Sequence, residues 1–221
     1  MFEGADEDET VTNPIQEIHT RLFDHFGPQH WWPGETPFEI MLGAVLTQNT
    51  SWRNVSMVIE SLKGEGLLSF SALDALPAEI LAEKIRPSGY YNQKAKRLKG
   101  LFAAIREDSG DLETFFDQDA ATLREKLLAV KGIGPETADS ITLYAAGKPV
   151  FVVDAYTYRI LLRHDLIAED AGYEDIQDLF LGKLPTETQL FNEYHALLVR
   201  LAKEYCKKSN PLCDACPLQG L

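Results

Sequence analysis

The stretch from Leu128 to Asp154, LAVKGIGPETADSITLYAAGKPVFVVD, carries residue types whose spacing could do chemistry. Gly132-Ile133-Gly134 followed by Pro135 reads as a tight hairpin that opens a helix. Glycine on each side of Ile133 permits φ > 0, and proline at a first helical position loses no hydrogen bond. A helix start carries roughly half a positive charge and unpaired N–H donors, which suits a phosphate oxygen. Eighteen residues after Glu136, beyond the Gly147-Lys148-Pro149 turn and the apolar run Val150 to Val153, stands a single carboxylate, Asp154. Asp154 either caps the helix that Tyr158, Ile160, Leu161 and Leu162 continue, which stabilises by about 1 kcal/mol, or supplies negative charge to a reaction.

A second constellation closes the chain. All three cysteines fall in Cys206-x6-Cys213-x2-Cys216. With no others to pair with, a disulfide framework is excluded in practice, and thiolates at such short spacing read as metal ligands.

The elements that must position these groups are helices. Asn13-Pro14 opens one with Ile15, Ile18, His19, Leu22, Phe23 and Phe26 on one face, which makes His19 a packed residue rather than a ligand. Thr36-Pro37-Phe38-Glu39 is a capped start for a helix carrying Met41, Leu42, Val45 and Leu46. Gln48, Asn49 and Trp52 then sit at a helix-to-helix junction. Two short helices span Ser71 to Leu76 and Pro77 to Ile85, and a turn over Arg86 to Gln93 feeds a long helix with Lys94, Lys96, Arg97 and Lys99. Those bases either form a solvated face or contact phosphates. Asp119 to Ala129 leads into the hairpin, and Tyr173 to Leu181 and Thr186 to Cys206 supply the last two helices. No strand pattern longer than Val150 to Val153 occurs, so the fold class is all-α.

The length of 221 residues suits one or two domains, and 45% hydrophobic with 25% charged residues is a globular composition. No apolar run approaches the ~20 residues of a membrane span, and the acidic start lacks a signal peptide's basic region, so the chain reads as cytoplasmic. The net charge of −13 argues against a nonspecific nucleic-acid coat. Glu3, Asp6, Glu7, Asp8 and Glu9 lie in an N-terminal tail expected to be disordered, and without them the charge is −8. Positive charge is clumped on the long helix and at Lys203, Lys207 and Lys208, which leaves room for a local basic rim.

Val130 to Ala138 followed by Val152-Val153-Asp154 resembles the helix-hairpin-helix and catalytic aspartate of the endonuclease III superfamily of DNA glycosylases. The resemblance implies a six-helix barrel domain, 29–147, and a second helical domain made of 1–28 and 148–221 with an iron–sulfur loop. It implies Asp154 as the catalytic residue, a backbone phosphate grip at Gly132, Gly134 and Thr137, and Gln48 entering the gap left by a flipped base. Gln48 has the alternative of capping its preceding helix. The expected partner is double-stranded DNA with a damaged base, engaged by a monomer.

The cysteine spacing resembles the 4Fe-4S loop of endonuclease III, which implies Cys206, Cys213 and Cys216 as cluster ligands. The fourth cysteine would fall one residue past Leu221. A cut sequence, a non-cysteine ligand and a degenerate site all remain open.

Strand-cleaving members carry a lysine where Glu136 stands, and a carboxylate cannot form their Schiff base. Trp31-Trp32-Pro33, Leu46 to Thr50 and Arg86 to Leu98 resemble the endonuclease III-like 3-methyladenine glycosylases, in which the matching aromatic positions line the base pocket. Here these are Trp31, Trp32, Pro33 and Trp52, although the tryptophans could also serve as core anchors. The expected activity is excision of alkylated purines without strand cleavage. The alternatives are a bifunctional glycosylase/lyase for oxidised pyrimidines and a non-enzymatic DNA-binding iron–sulfur module.

Overall fold

The computed structural model describes residues 13–31 and 34–221. The acidic tail, Trp32 and Pro33 lie outside them. Among the described residues the regular elements are all helices: α1 (Pro14–Phe26), α2 (Pro37–Leu46), α3 (Trp52–Gly64), α4 (Phe70–Ala75), α5 (Ala78–Lys84), α6 (Tyr91–Asp108), α7 (Leu112–Asp117), α8 (Ala120–Ala129), α9 (Pro135–Ser140), α10 (Ala155–Arg163), α11 (Tyr173–Leu181) and α12 (Thr188–Glu204). No helix among them is long and apolar enough to cross a membrane.

Helix starts follow cap chemistry. Asn13, Thr36, Ser69, Asp111, Asp119 and Asp154 each accept a backbone N–H with the side chain, satisfying donors a helix leaves orphaned. α2 is buried nearly all round (Phe38, Ile40, Met41, Leu42, Gly43, Val45 and Leu46), as expected of an apolar helix at the centre of a core. α3, α6 and α9 pack against it, and α12 packs on α1 and α10. The Tyr194 hydroxyl on α12 donates to the Ile15 carbonyl at 2.7 Å, and Phe151 stacks on Phe180 at 3.7 Å between ring centres. His19 lies against Phe23 and Tyr194, as a packed residue.

Two features were not expected from the sequence. α7 forms on its Asp111 cap. The helix that α9 begins widens into a π-helical turn at Ile141–Ala145, which touches both α2 and α12. The Thr142 hydroxyl bonds the Ala138 carbonyl at 2.9 Å, so it competes with the ordinary i→i−4 ladder at the point of widening. Residues 150–153 are extended and buried without pairing as a strand.

Candidate active site

That buried extended segment delivers Asp154 to its place. The Val153 N–H donates to the Tyr173 hydroxyl at 3.3 Å, and the chain turns into α10 at the next residue. Asp154 Oδ1 accepts three bonds, from Tyr156 N–H (2.9 Å), Thr157 N–H (2.7 Å) and the Thr157 hydroxyl (3.0 Å). Capping therefore saturates one oxygen and leaves Oδ2, whose near neighbour is His195 Nε2 at 3.5 Å. The side chain is only 12% exposed. Burial pushes its pKa up, but His195 and the Thr157 donors outweigh that and hold it below the ordinary carboxylate value. Asp154 is both an N-cap and a sheltered anion.

Three groups surround it. The Tyr144 hydroxyl, on the π-helical turn, lies 2.5 Å from His195 Nδ1 on α12. Trp31 meets the Tyr144 ring edge-on at 5.2 Å and the His195 ring at 5.9 Å, and is 37% exposed, so its outer face is open. Glu136, at the start of α9, has its pKa raised by burial and then by the Asp154 charge, with His195 opposing. One carboxyl is thus held ionised and its neighbour is pushed toward protonation. Sequence reasoning did not find Tyr144 or His195. A histidine inside the apolar stripe of α12 reads as core, and nothing local pairs it with a tyrosine 51 positions away.

The hairpin residues form a second patch. Gly132 has φ +92°, but Gly134 does not need glycine for its backbone, since φ −96° and ψ 177° are open to any residue. Only the first of the two glycines thus carries the left-handed turn expected of both. Gln48 Nε2 donates to the Thr137 hydroxyl at 2.8 Å and to the Gly132 carbonyl at 3.3 Å, and Arg97 donates to Gln48 Oε1. Gln48, Gly132 and Thr137 therefore meet, and Gln48 is tethered to the hairpin. The capping alternative is filled by Thr47, whose hydroxyl bonds the Gly43 carbonyl at 2.6 Å.

The basic residues of α6 do not make one face. Lys94 is fully buried, donating to the Leu46 and Ser88 carbonyls at 2.8 and 2.7 Å, and Lys99 donates to the carbonyls of Leu73 and Asp74. Lys94 fastens the end of α2, which carries the Gln48 loop, and contacts no phosphate from there. Trp52 lies across Gly43 of α2, where an added Cβ would come within 3.3 Å of its ring, and its remaining surface is half exposed. A concavity of about 800 Å³ between the start of α2 and α7 holds none of the candidate residues.

Burial raises the Cys216 thiol pKa, with Cys206 and Cys213 adding to it. Arg163 Nη1 donates to Cys206 Sγ at 3.3 Å. Among the described residues, however, no three His, Cys, Asp or Glu side chains are arranged to hold a metal ion. As they stand, the three thiols do not form a ligand set.

Known proteins resemble this chain in sequence and in fold. Residues 42–186 match the model of the HhH-GPD superfamily base excision DNA repair protein. The chain is 46% identical over 207 residues to "Putative DNA repair glycosylase MJ1434" of Methanocaldococcus jannaschii, covering 93% of this chain and 94% of that one. It is 27% identical over 207 residues to endonuclease III of Thermotoga maritima, covering 93% and 91%. Among solved structures it is similar to H. pylori 3-methyladenine DNA glycosylase (MagIII) bound to 1,N6-ethenoadenine, with TM-score 0.74, 33% identity and coverage of 86% and 96%. A non-covalent endonuclease III–DNA complex shares the fold at TM-score 0.79 and 23% identity, covering 94% and 93%.

Proposed function

The chain belongs to the HhH-GPD superfamily of base excision DNA repair glycosylases, and from that premise we propose that it excises alkylated purines such as 3-methyladenine from duplex DNA without cutting the strand. The observation that carries the reading is Asp154, a buried carboxylate with one oxygen locked by the helix and the other left available.

A purine alkylated at N3 or N7 carries a positive charge. When its bond to C1′ breaks, both bonding electrons go to the base, which leaves neutral and needs little acid assistance. The sugar is left as an oxocarbenium cation, a water oxygen bonds to C1′ and loses its proton, and an abasic site results. A carboxylate about 4 Å from that cation is worth roughly 4 kcal/mol at an effective dielectric of ~20, on the order of a thousandfold in rate. An aromatic face attracts a cationic base by about 0.5–2 kcal/mol, which suits selection rather than acceleration. Asp154 is therefore assigned the chemistry, and Trp31 and Trp52, with Trp32 and Pro33, the flipped base.

Gln48, Gly132, Gly134 and Thr137 are assigned to DNA, the hairpin backbone gripping a phosphate and Gln48 leaving its tether to fill the gap. Glu136 supports the monofunctional reading, since it offers no amine to attack the sugar. The similarity to MagIII supports alkylpurines over oxidised pyrimidines. The domain division 29–147 against 1–28 and 148–221, and a 4Fe-4S cluster that braces Cys206, Cys213 and Cys216, belong to the same proposal. The chemical step is routed through neither. Incubation with a duplex bearing an abasic site tests the monofunctional part, and strand cleavage or a borohydride-trapped adduct refutes it.

A further inference from the structure

Tyr144 and His195 are buried at the site, yet the chemistry above uses neither. The tyrosine hydroxyl has one hydrogen-bond partner among the described residues, His195 Nδ1 at 2.5 Å. Burial and the Asp154 charge push the phenol pKa well above its usual value, so the hydroxyl keeps its proton. That proton has only Nδ1 to go to, which makes Nδ1 the acceptor. A neutral imidazole carries one N–H, and it must then sit on Nε2. Among the described residues Nε2 is buried and lacks a hydrogen-bond partner, and it faces the free Asp154 oxygen at 3.5 Å.

We infer that Tyr144 and His195 are positioning residues that fix a neutral imidazole tautomer, aiming its Nε2–H at Asp154 Oδ2 so that the carboxylate stays oriented and charged. The inference rests on Asp154 being the catalytic carboxylate.

Neutrality matters. An imidazolium 3.5 Å from Asp154 would cancel the charge that the sugar cation needs, whereas a neutral donor orients the oxygen and leaves the charge in place. The groups facing the ring are Tyr144 from the π-helical turn, Glu136 from α9, Asp154 at the start of α10 and Trp31 from the loop before α2. Glu136 and Asp154 are both acidic, and the phenol is the group that selects the tautomer. The widened turn at Ile141–Ala145 carries Tyr144, giving that irregularity a use.

The test combines a tautomer reading with kinetics. Nitrogen-15 NMR of the free, folded protein should show His195 protonated at Nε2, and Tyr144→Phe should lose that preference. In single-turnover excision from an alkylated duplex, Tyr144→Phe should be slower by about tenfold, the scale of losing an oriented bond to a charged group, with DNA affinity and melting temperature near wild type. His195→Gln places an amide donor near Nε2 without a tautomer to select. It should keep most of the rate and make the added Tyr144→Phe change neutral. An imidazole protonated at Nδ1, or equal losses from Tyr144→Phe in the wild-type and His195→Gln backgrounds, would overturn the inference. If neither wild type nor Asp154→Asn frees any base, the glycosylase reading fails, and the tautomer measurement still decides the pair.

Discussion

The two hairpin glycines lie two residues apart yet should respond differently to alanine. At Gly132, φ is +92°, and an added Cβ would come within 2.6, 2.8 and 2.9 Å of Arg97 Nε, Cγ and Cδ. Left-handed strain costs about 1–2 kcal/mol for an L-residue. Displacing Arg97 also breaks its bond to Gln48, so a total near ~2 kcal/mol is expected. At Gly134 φ is −96° and nothing among the described residues lies within 4 Å, so alanine brings no strain there, and the about 0.5 kcal/mol gained from lower unfolded-chain entropy is offset by alanine's poorer fit at the N-cap of α9. If the hairpin backbone approaches a phosphate, the Gly134 methyl obstructs that approach. Gly134→Ala should then melt near wild type and bind duplex DNA several-fold more weakly, whereas Gly132→Ala should melt several degrees lower. Calorimetry supplies the melting temperatures and fluorescence anisotropy on a fixed duplex at two salt concentrations supplies the affinities. Unchanged affinity in Gly134→Ala would remove the phosphate from this hairpin, and a large stability loss there would refute the account of the turn.

Other perturbations follow from the same contacts. Asp139, fully buried, accepts from Arg124, Tyr173 and Gln177, so Asp139→Ala strands several donors and a guanidinium, and chemical denaturation should show a loss of about 3–5 kcal/mol. Lys94→Met leaves the Leu46 and Ser88 carbonyls unpaired and should cost about 2 kcal/mol by the same measurement at neutral pH. Burial depresses the Lys94 pKa, so the unfolded state binds more protons between the folded and unfolded values, and this lysine's contribution to stability rises with pH through that window. His195 and the Thr157 donors hold Asp154 below the ordinary carboxylate value, so Thr157→Val, which removes the hydroxyl donor, should move the acid limb of the single-turnover rate to higher pH; a limb that stays where wild type has it would contradict this. Anaerobically prepared full-length protein should contain iron and lose stability, rather than its chemical step, in Cys206→Ala; iron-free protein of full activity and stability would count against the cluster.

Helix starts were legible in the sequence because caps are local. Asn13-Pro14, Thr36-Pro37, Asp119 and the Gly134-Pro135 turn declare themselves within four residues. The cap that Asp154 makes on α10 was legible for the same reason. What escaped is set by tertiary contacts. Lys94 looks like any surface lysine until Leu46 and Ser88 close over it. The tether on Gln48 joins residues 84 and 89 positions apart. The Tyr144–His195 pair depends on a π-helical widening that no local pattern of Ile141 to Ala145 specifies.

The central claim is that the available oxygen of Asp154 drives base loss. Release of labelled 3-methyladenine from alkylated duplex DNA, measured under single-turnover conditions for wild type and Asp154→Asn, tests it most directly. The side-chain oxygen of Asn can still cap α10, so the fold and DNA affinity should survive. Loss of the full charge should lower the rate on the order of a thousandfold. Wild type should free the base and leave the strand intact; an Asp154→Asn variant that binds normally and excises at the wild-type rate would contradict the account.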